Sequence, residues 1–260
     1  MSQTQIADLL AADDGLEATE LRPFHGFKGL HGGLAAALMV RRMRAGVPPD
    51  QELLSLGARF VKPVGGPVAV KADTVRSGSA TTLVAAALSA DGVPNVLAEA
   101  LFGKRTPRGL QTFAPRMPSE LTALEQAQPF LIPPEFVPIA QKMQIRPATP
   151  ELPYSGSRRP ELCAWVRLTD EVPDPAERLV ILADALAPSY TAILTTLTIV
   201  PTVELSIRIS DQAAATEFDW VLIRARTEAA DEAGWVDETI DLWSESGVHL
   251  ASARQLRLVR

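Results

Sequence analysis

Proline sets the first boundary in this chain. Eleven of its 21 prolines fall between Lys104 and Pro160, among them Pro133-Pro134 and Pro147-Ala-Thr-Pro150. Each proline removes a backbone donor and interrupts both helices and central strands. A structureless link of that length is unusual inside one compact unit. The sequence therefore divides into a first half over residues 1–110, a connector over 111–160 with room for a short helix near Ser119–Ala127, and a second half over 161–260.

Each half reads as one helix followed by a run of strands. The first helix is expected over 33–45, apolar from Leu34 to Val40, with Arg41, Arg42 and Arg44 at its negative end and Gly46 and Pro48 to stop it. Strands are expected over 54–61, 68–75, 81–88 and 96–102, the last two joined across Asp91-Gly92. In the second half Asp174 suits an N-cap, Pro175 the first helical position, and Glu177 a capping box. That helix is expected to run to Ala187, with Pro188 ending it, before strands over 202–209, 220–227, 236–243 and 249–259 and a last turn at Ser246-Gly247. From Thr202 to Ile209 the alternation is unbroken, Val203, Leu205, Ile207 and Ile209 sharing one face. An apolar helix with an antiparallel sheet, twice over, predicts an α+β fold in which curved sheet wraps helix in two copies, a symmetric dimer within one chain.

Composition narrows the class of function. Apolar residues at 47 % and charged residues at 22 % suit a folded domain, not a disordered one. A formal charge of −6 disfavours nucleic acid as a partner. One cysteine, Cys163, allows no internal disulfide, and one cysteine with three histidines is a poor supply for a Cys/His zinc cluster, so no metal is expected. The start of the chain lacks the pattern of a signal peptide, and no apolar run approaches the roughly 18 residues of a membrane span. The expectation is a cytoplasmic protein without membrane contact.

Particular residues then resemble a known family. Gly29-Leu-His-Gly-Gly-Leu-Ala-Ala-Ala-Leu-Met-Val40 and Phe60-Val-Lys-Pro-Val-Gly-Gly-Pro67 look like the opening of a hotdog-fold thioesterase. Ile181-Leu-Ala-Asp-Ala185, Pro201-Thr-Val-Glu-Leu-Ser206, Leu242-Trp-Ser-Glu-Ser-Gly247 and Leu250-Ala-Ser-Ala-Arg-Gln255 follow in the order of the acyl-CoA thioesterase II (TesB-like) family. The resemblance implies a double hotdog, and a catalytic trio of Asp184, Thr202 and Gln255 holding the hydrolytic water. Glu204-Leu205 departs from the family, where an Asp-His pair is frequent. Single-hotdog thioesterases carry His-Gly-Gly and Leu-Ala-Asp on one helix. Here His31-Gly32-Gly33 stands in the first half, with Val40 in the place of the Asp, and Leu182-Ala183-Asp184 in the second, with Pro175-Ala176-Glu177 in the place of His-Gly-Gly. Two incomplete halves would thus assemble one site.

The chemistry has two readings at each position. Gly32 and Gly33 would let a thioester approach the helix start, whose N–H groups suit a developing oxyanion, or they only permit close packing. His31 reads as a structural hydrogen-bonding residue at this substrate-binding turn. Asp184, among apolar neighbours, is either a paired carboxylate acting on water or part of a solvated helix face with Glu177. Thr202 and Gln255 read singly as an ordinary strand former and a solvated amide. The arginines meet CoA phosphates or simply cap the helix, and Trp220, Trp235 and Trp243 are core or interface residues. The resemblance implies a thioester hydrolase acting on an acyl-CoA, with no cofactor beyond the CoA of its substrate, and the sheet edges suggest a homo-oligomer, a dimer in the simplest case. The alternatives are a non-catalytic acyl-CoA or acyl-carrier binding protein, a hotdog hydratase or dehydratase needing a nearby Asp–His pair, and an interaction protein.

Overall fold

In the computed structural model, which describes residues 4–12, 15–90 and 92–260, short helices α1 (Ile6–Ala11) and α2 (Ala18–Leu21) lead into a ribbon of β1 (His25–Gly26) and β2 (Gly29–Leu30). Helix α3 (Gly32–Arg44) follows, then β3 (Glu52–Phe60), β4 (Val68–Ser77), β5 (Thr81–Ala90) and β6 (Val93–Gly103). These match the sequence pattern to within a few residues. Of the Asp91-Gly92 turn, Asp91 lies outside the described residues, as do Met1–Gln3, Asp13 and Asp14 of the opening stretch.

The connector departs from expectation. It supplies β7 (Met143–Pro147), which pairs with β8 (Glu161–Leu168) as an edge strand, a place where Pro147 costs no central hydrogen bond. The short helix near 119–127 does not form. Thr122 N–H donates to the Ala148 carbonyl at 2.8 Å and its carbonyl accepts from Trp165 Nε1 at 3.1 Å, which leaves only a turn over 124–126. Instead the segment lies as a strap across the second half. Met117, Leu121, Leu124 and Ala127 cover Cys163, Trp165, Trp220, Leu222 and Trp243 on the outer face of the sheet. Trp243 and Trp220 are core residues there, whereas Trp235 is half-exposed. Burial pushes the Cys163 thiol up to about 12.

The second half continues with α4 (Pro175–Leu182), β9 (Thr202–Ile209), β10 (Val221–Ala230), β11 (Trp235–Ser244) and β12 (His249–Leu258). All ten long strands form one antiparallel sheet in the order β4-β5-β6-β3-β9-β12-β11-β10-β8-β7, and the halves join at β3–β9, where Leu56 faces Ile207 and Ala58 faces Leu205. The sheet curls round α3 and α4, so that Leu34, Met39, Leu56 and Phe102 share one core with Leu179, Leu182, Val221 and Leu250. No helix among the described residues is long and apolar enough to cross a membrane.

Helix α4 ends at Leu182, five residues short of expectation. The carbonyls that follow leave the helical ladder, Ala183 O accepting from Gln255 and Asp184 O from His31, and Pro188 bars a further turn. Asp174 caps its start as expected, accepting from Ala176 N–H at 2.8 Å and Glu177 N–H at 3.2 Å. Glu177 does not complete a capping box. Its carboxylate crosses to α3 and meets Arg41 Nη2 at 2.8 Å. With Gly33 against Ile181 and Asp184 at the other end, this contact shows that α3 and α4 pack antiparallel.

Burial and the nearby Asp174 push Glu177 up to about 7, because the Arg41 side chain is 40 % exposed and keeps much of its charge in water. The unfolded chain releases this proton near the ordinary value of 4.5, while the folded chain still holds it. Its contribution is therefore full below about pH 4.5 and falls as pH rises towards 7. Urea unfolding at about pH 5 and pH 8 should show that Glu177→Gln removes about 1–3 kcal/mol of this decline. Parallel pH slopes for the two chains would contradict it.

Candidate active site

At the start of α3 the two halves meet directly. Of the first-turn N–H groups, Gly33 donates to Asp184 Oδ2 at 2.9 Å and Leu34 to His31 Nδ1 at 3.2 Å. His31 is thus the N-cap, and because Nδ1 accepts, Nε2 carries the proton and donates to the Asp184 carbonyl at 2.8 Å. Gly32 N–H has no partner among the described residues. The glycine pair is required by approach: a Cβ on Gly33 would lie 2.7 Å from the Ile181 carbonyl oxygen, and one on Gly32 2.8 Å from Asp184 Oδ2.

Asp184 does not sit within a helix, as its apolar neighbours suggested, but in the turn just after α4. Its side chain is 11 % exposed. Gln255 Nε2 donates to Asp184 Oδ1 at 3.1 Å and to Ala183 O at 3.2 Å, while Gln255 Oε1 accepts from the Thr202 hydroxyl at 2.7 Å. The opposite amide orientation would set an oxygen against two acceptors. Gln255 is fully buried, not solvated, on the inner face of β12.

The structure brings Asp184, Thr202, Gln255, His31, Gly32 and Gly33 together. Their hydrogen-bonding capacity is unequally spent. Both Gln255 N–H groups and the Thr202 proton are committed within the row, whereas the Asp184 carboxylate, with one bond to each oxygen, keeps lone pairs for a water. Thr202 reaches the inner face against its sequence parity. The register of β9 with β12 slips between Leu256 and Arg257, so that Thr202 faces Arg257 and Val203 is skipped. This bulge turns Thr202 away from the side of Glu204 and Ser206.

Two further residues complete the row and were not singled out from the sequence. Arg257 Nη1 donates to Thr202 Oγ1 at 2.8 Å, and Arg257 Nε to Glu238 Oε2 at 2.7 Å. The available signal was a charged residue at an inward strand position: Arg257 shares the parity of Gln255, and Glu238 that of Ile240. By contrast, the arginines of α3 are engaged within the fold. Arg41 holds Glu177, Arg42 bonds the Ala12 carbonyl, and Arg44 bonds the Gln51 carbonyl and lies over the Phe102 ring.

A curled antiparallel sheet around two central helices, with the carboxylate of one half at the helix start of the other, defines a double hotdog. Residues 22–103 match the acyl-CoA thioesterase N-terminal domain and residues 114–259 the acyl-CoA thioesterase C-terminal domain. The chain belongs to the acyl-CoA thioesterase family. Among solved structures it is similar to a hot dog protein of unknown function from Alicyclobacillus acidocaldarius, at 22 % identity and TM-score 0.83 over 98 % of this chain and 97 % of that one. A provisional thioesterase II from Thermobifida fusca YX gives 21 % and 0.80 over 100 % and 99 %. The acyl-CoA thioesterase II TesB2 of Mycobacterium marinum gives 17 % and 0.66 over 92 % and 90 %. At these identities the likeness is one of fold. No curated protein gives a significant match.

The tight helix start is testable by itself. Gly33→Ala should cost about 1–3 kcal/mol in urea unfolding, since the clash is with backbone. Gly57→Ala, which meets nothing within 4 Å, should stay within about 0.5 kcal/mol of wild type. Equal behaviour of the two would show that the helix start is not tight.

Proposed function

We propose that this protein hydrolyses an acyl-CoA to the free acid and CoA, with Asp184 acting on the attacking water. The observation that carries the reading is the Asp184 carboxylate beside the unpartnered Gly32 N–H. A carbonyl seated there would be polarised by a helix start, and its carbon would face a water held by Asp184. Water oxygen bonds to the thioester carbon as Asp184 takes its proton. The tetrahedral oxyanion, held by Gly32 N–H, then collapses and expels the CoA sulfur as thiolate, which takes up the proton that Asp184 drew from the water and so restores the carboxylate. In this reading Gln255 and Thr202 serve by holding Asp184. Of the helix-start N–H groups expected to face the oxyanion, this reading takes Gly32, because Gly33 N–H is spent on Asp184 and Leu34 N–H on His31. The reaction uses no cofactor beyond the CoA of its substrate.

One observation speaks for the hydratase alternative. His31 Nε2 stands 3.6 Å from Asp184 Oδ2, an Asp–His pair that chain spacing did not foreshadow. Both ring nitrogens are already used, however, one on Leu34 N–H and one on the Asp184 carbonyl. Hydrolysis is therefore the better reading.

Thiol release across short, medium and long acyl-CoAs should fall about 100- to 10,000-fold in Asp184→Asn. Turnover by this variant at the wild-type rate would refute the role, and loss of enoyl-CoA absorbance without thiol release would favour hydration. The reading places the reaction in the cytoplasm, where a lone buried thiol is at home. It also includes a dimer formed through exposed sheet edges, and sedimentation equilibrium should give twice the 27.9 kDa chain mass. A monomer at all concentrations would remove that part.

A further inference from the structure

The Arg257–Glu238 ion pair lies behind the residues that the hydrolytic reading uses, with side chains 5 % and 0 % exposed. Such a pair adds little net stability over apolar residues of the same size. Its direction is the informative property. A guanidinium only donates, so Thr202 Oγ1 must accept from Arg257, and the Thr202 proton must go to Gln255 Oε1. Gln255 is then left with its amide N–H groups facing Ala183 O and Asp184 Oδ1.

The other oxygen of Glu238 accepts from Ser189 N–H at 2.5 Å. Ser189 opens the 3-10 turn Ser189–Ile193, at the end of the loop that carries Asp184. The row therefore closes on itself. It runs from Asp184 through Gln255, Thr202, Arg257 and Glu238 to Ser189, and back along the backbone to Asp184. Without Arg257 nothing requires the Thr202 proton to go to Gln255 Oε1, and when that hydroxyl turns away the amide loses the contact that holds its N–H groups in place against Asp184 Oδ1 and Ala183 O.

We propose that Arg257, held by Glu238, is a positioning residue that fixes the donor–acceptor order of this row and thereby aims the Asp184 carboxylate at the start of α3. This rests on the hydrolytic reading of Asp184 and deepens it.

Arg257→Met alone leaves Glu238 charged and unpaired in the core, so the test uses Arg257→Met with Glu238→Met, folding being followed by thermal melting. The double variant should melt cooperatively and lose about 100-fold in kcat, the cost of misplacing a reacting group by about 1 Å, with KM little changed. Arg257→Lys, which keeps a donor for Thr202, should recover most of the rate. Adding the methionine pair to Thr202→Val should cost nothing beyond Thr202→Val itself, since Arg257 acts through that hydroxyl. Additive losses, or a wild-type kcat in the methionine pair, would overturn the proposal. The side-chain amide resonances of Gln255 give a readout free of activity and should move in the methionine pair and stay in Arg257→Lys. If the wild type released no thiol, the hydrolytic reading would fail on its own, and unmoved Gln255 resonances would separately overturn the positioning role.

Discussion

The bond from Gly33 N–H to the Asp184 carboxylate is the contact on which the arrangement of the two halves depends. A helix start leaves donors unsatisfied and carries partial positive charge, and a carboxylate there contributes about 0.3–1 kcal/mol, rising to about 2 when partly buried. Here the carboxylate comes from the other half of the chain. Around that contact the close approach of the two halves requires glycine at two positions, and the start of α3 lies against the end of α4. Gly32 N–H remains the first-turn donor still open to a ligand.

Holding a charged group at such a joint asks for rigid support, and the second half supplies it from strands. β12 gives Gln255 and Arg257, β9 gives Thr202 through its bulge, and β11 gives Glu238. Strand-borne side chains hold geometry better than loop-borne ones. Only Asp184 itself stands on a loop, and that loop is pinned at its far end by Ser189. The outer face of the same sheet is sealed by the proline-rich strap, whose carbonyls at Pro115 and Thr122 accept the indole N–H groups of Trp243 and Trp165. Among the described residues the corresponding outer face of the first half has no such cover, and Val75 and Leu97 are exposed there.

What the sequence made legible follows from how each element is surrounded. The strands of the first half and β9 alternate because one face is buried and one is not, and α3 announces itself by its glycine start and arginine end. β8 was unreadable for the opposite reason. Glu-Leu-Cys-Ala-Trp-Val-Arg-Leu is buried on both faces, by the core on one side and the strap on the other, so no period of two survives. The trio was legible only as a resemblance. Thr202 in particular had the wrong parity, since a bulge leaves no mark in a run of alternating residues. Glu177 was misassigned because a capping box and a cross-helix ion pair use the same residue at the same position.

That ion pair also marks how the second end of the helix pair differs from the first. The antiparallel helices have two ends related by the internal repeat. At one end lie His31-Gly32-Gly33 and Asp184. At the other lie Pro175-Ala176-Glu177 and, in the place of the Asp, Val40. Pro175 has no N–H to offer, and the Ala176 and Glu177 N–H groups are taken by Asp174. No first-turn donor is left there for a carbonyl. Val40 is buried and cannot accept from water, and the neighbouring Arg41 reaches across to Glu177. The two ends thus differ: one keeps an unpartnered donor beside a partly exposed carboxylate, and the other joins the helices through the Arg41–Glu177 hydrogen bond.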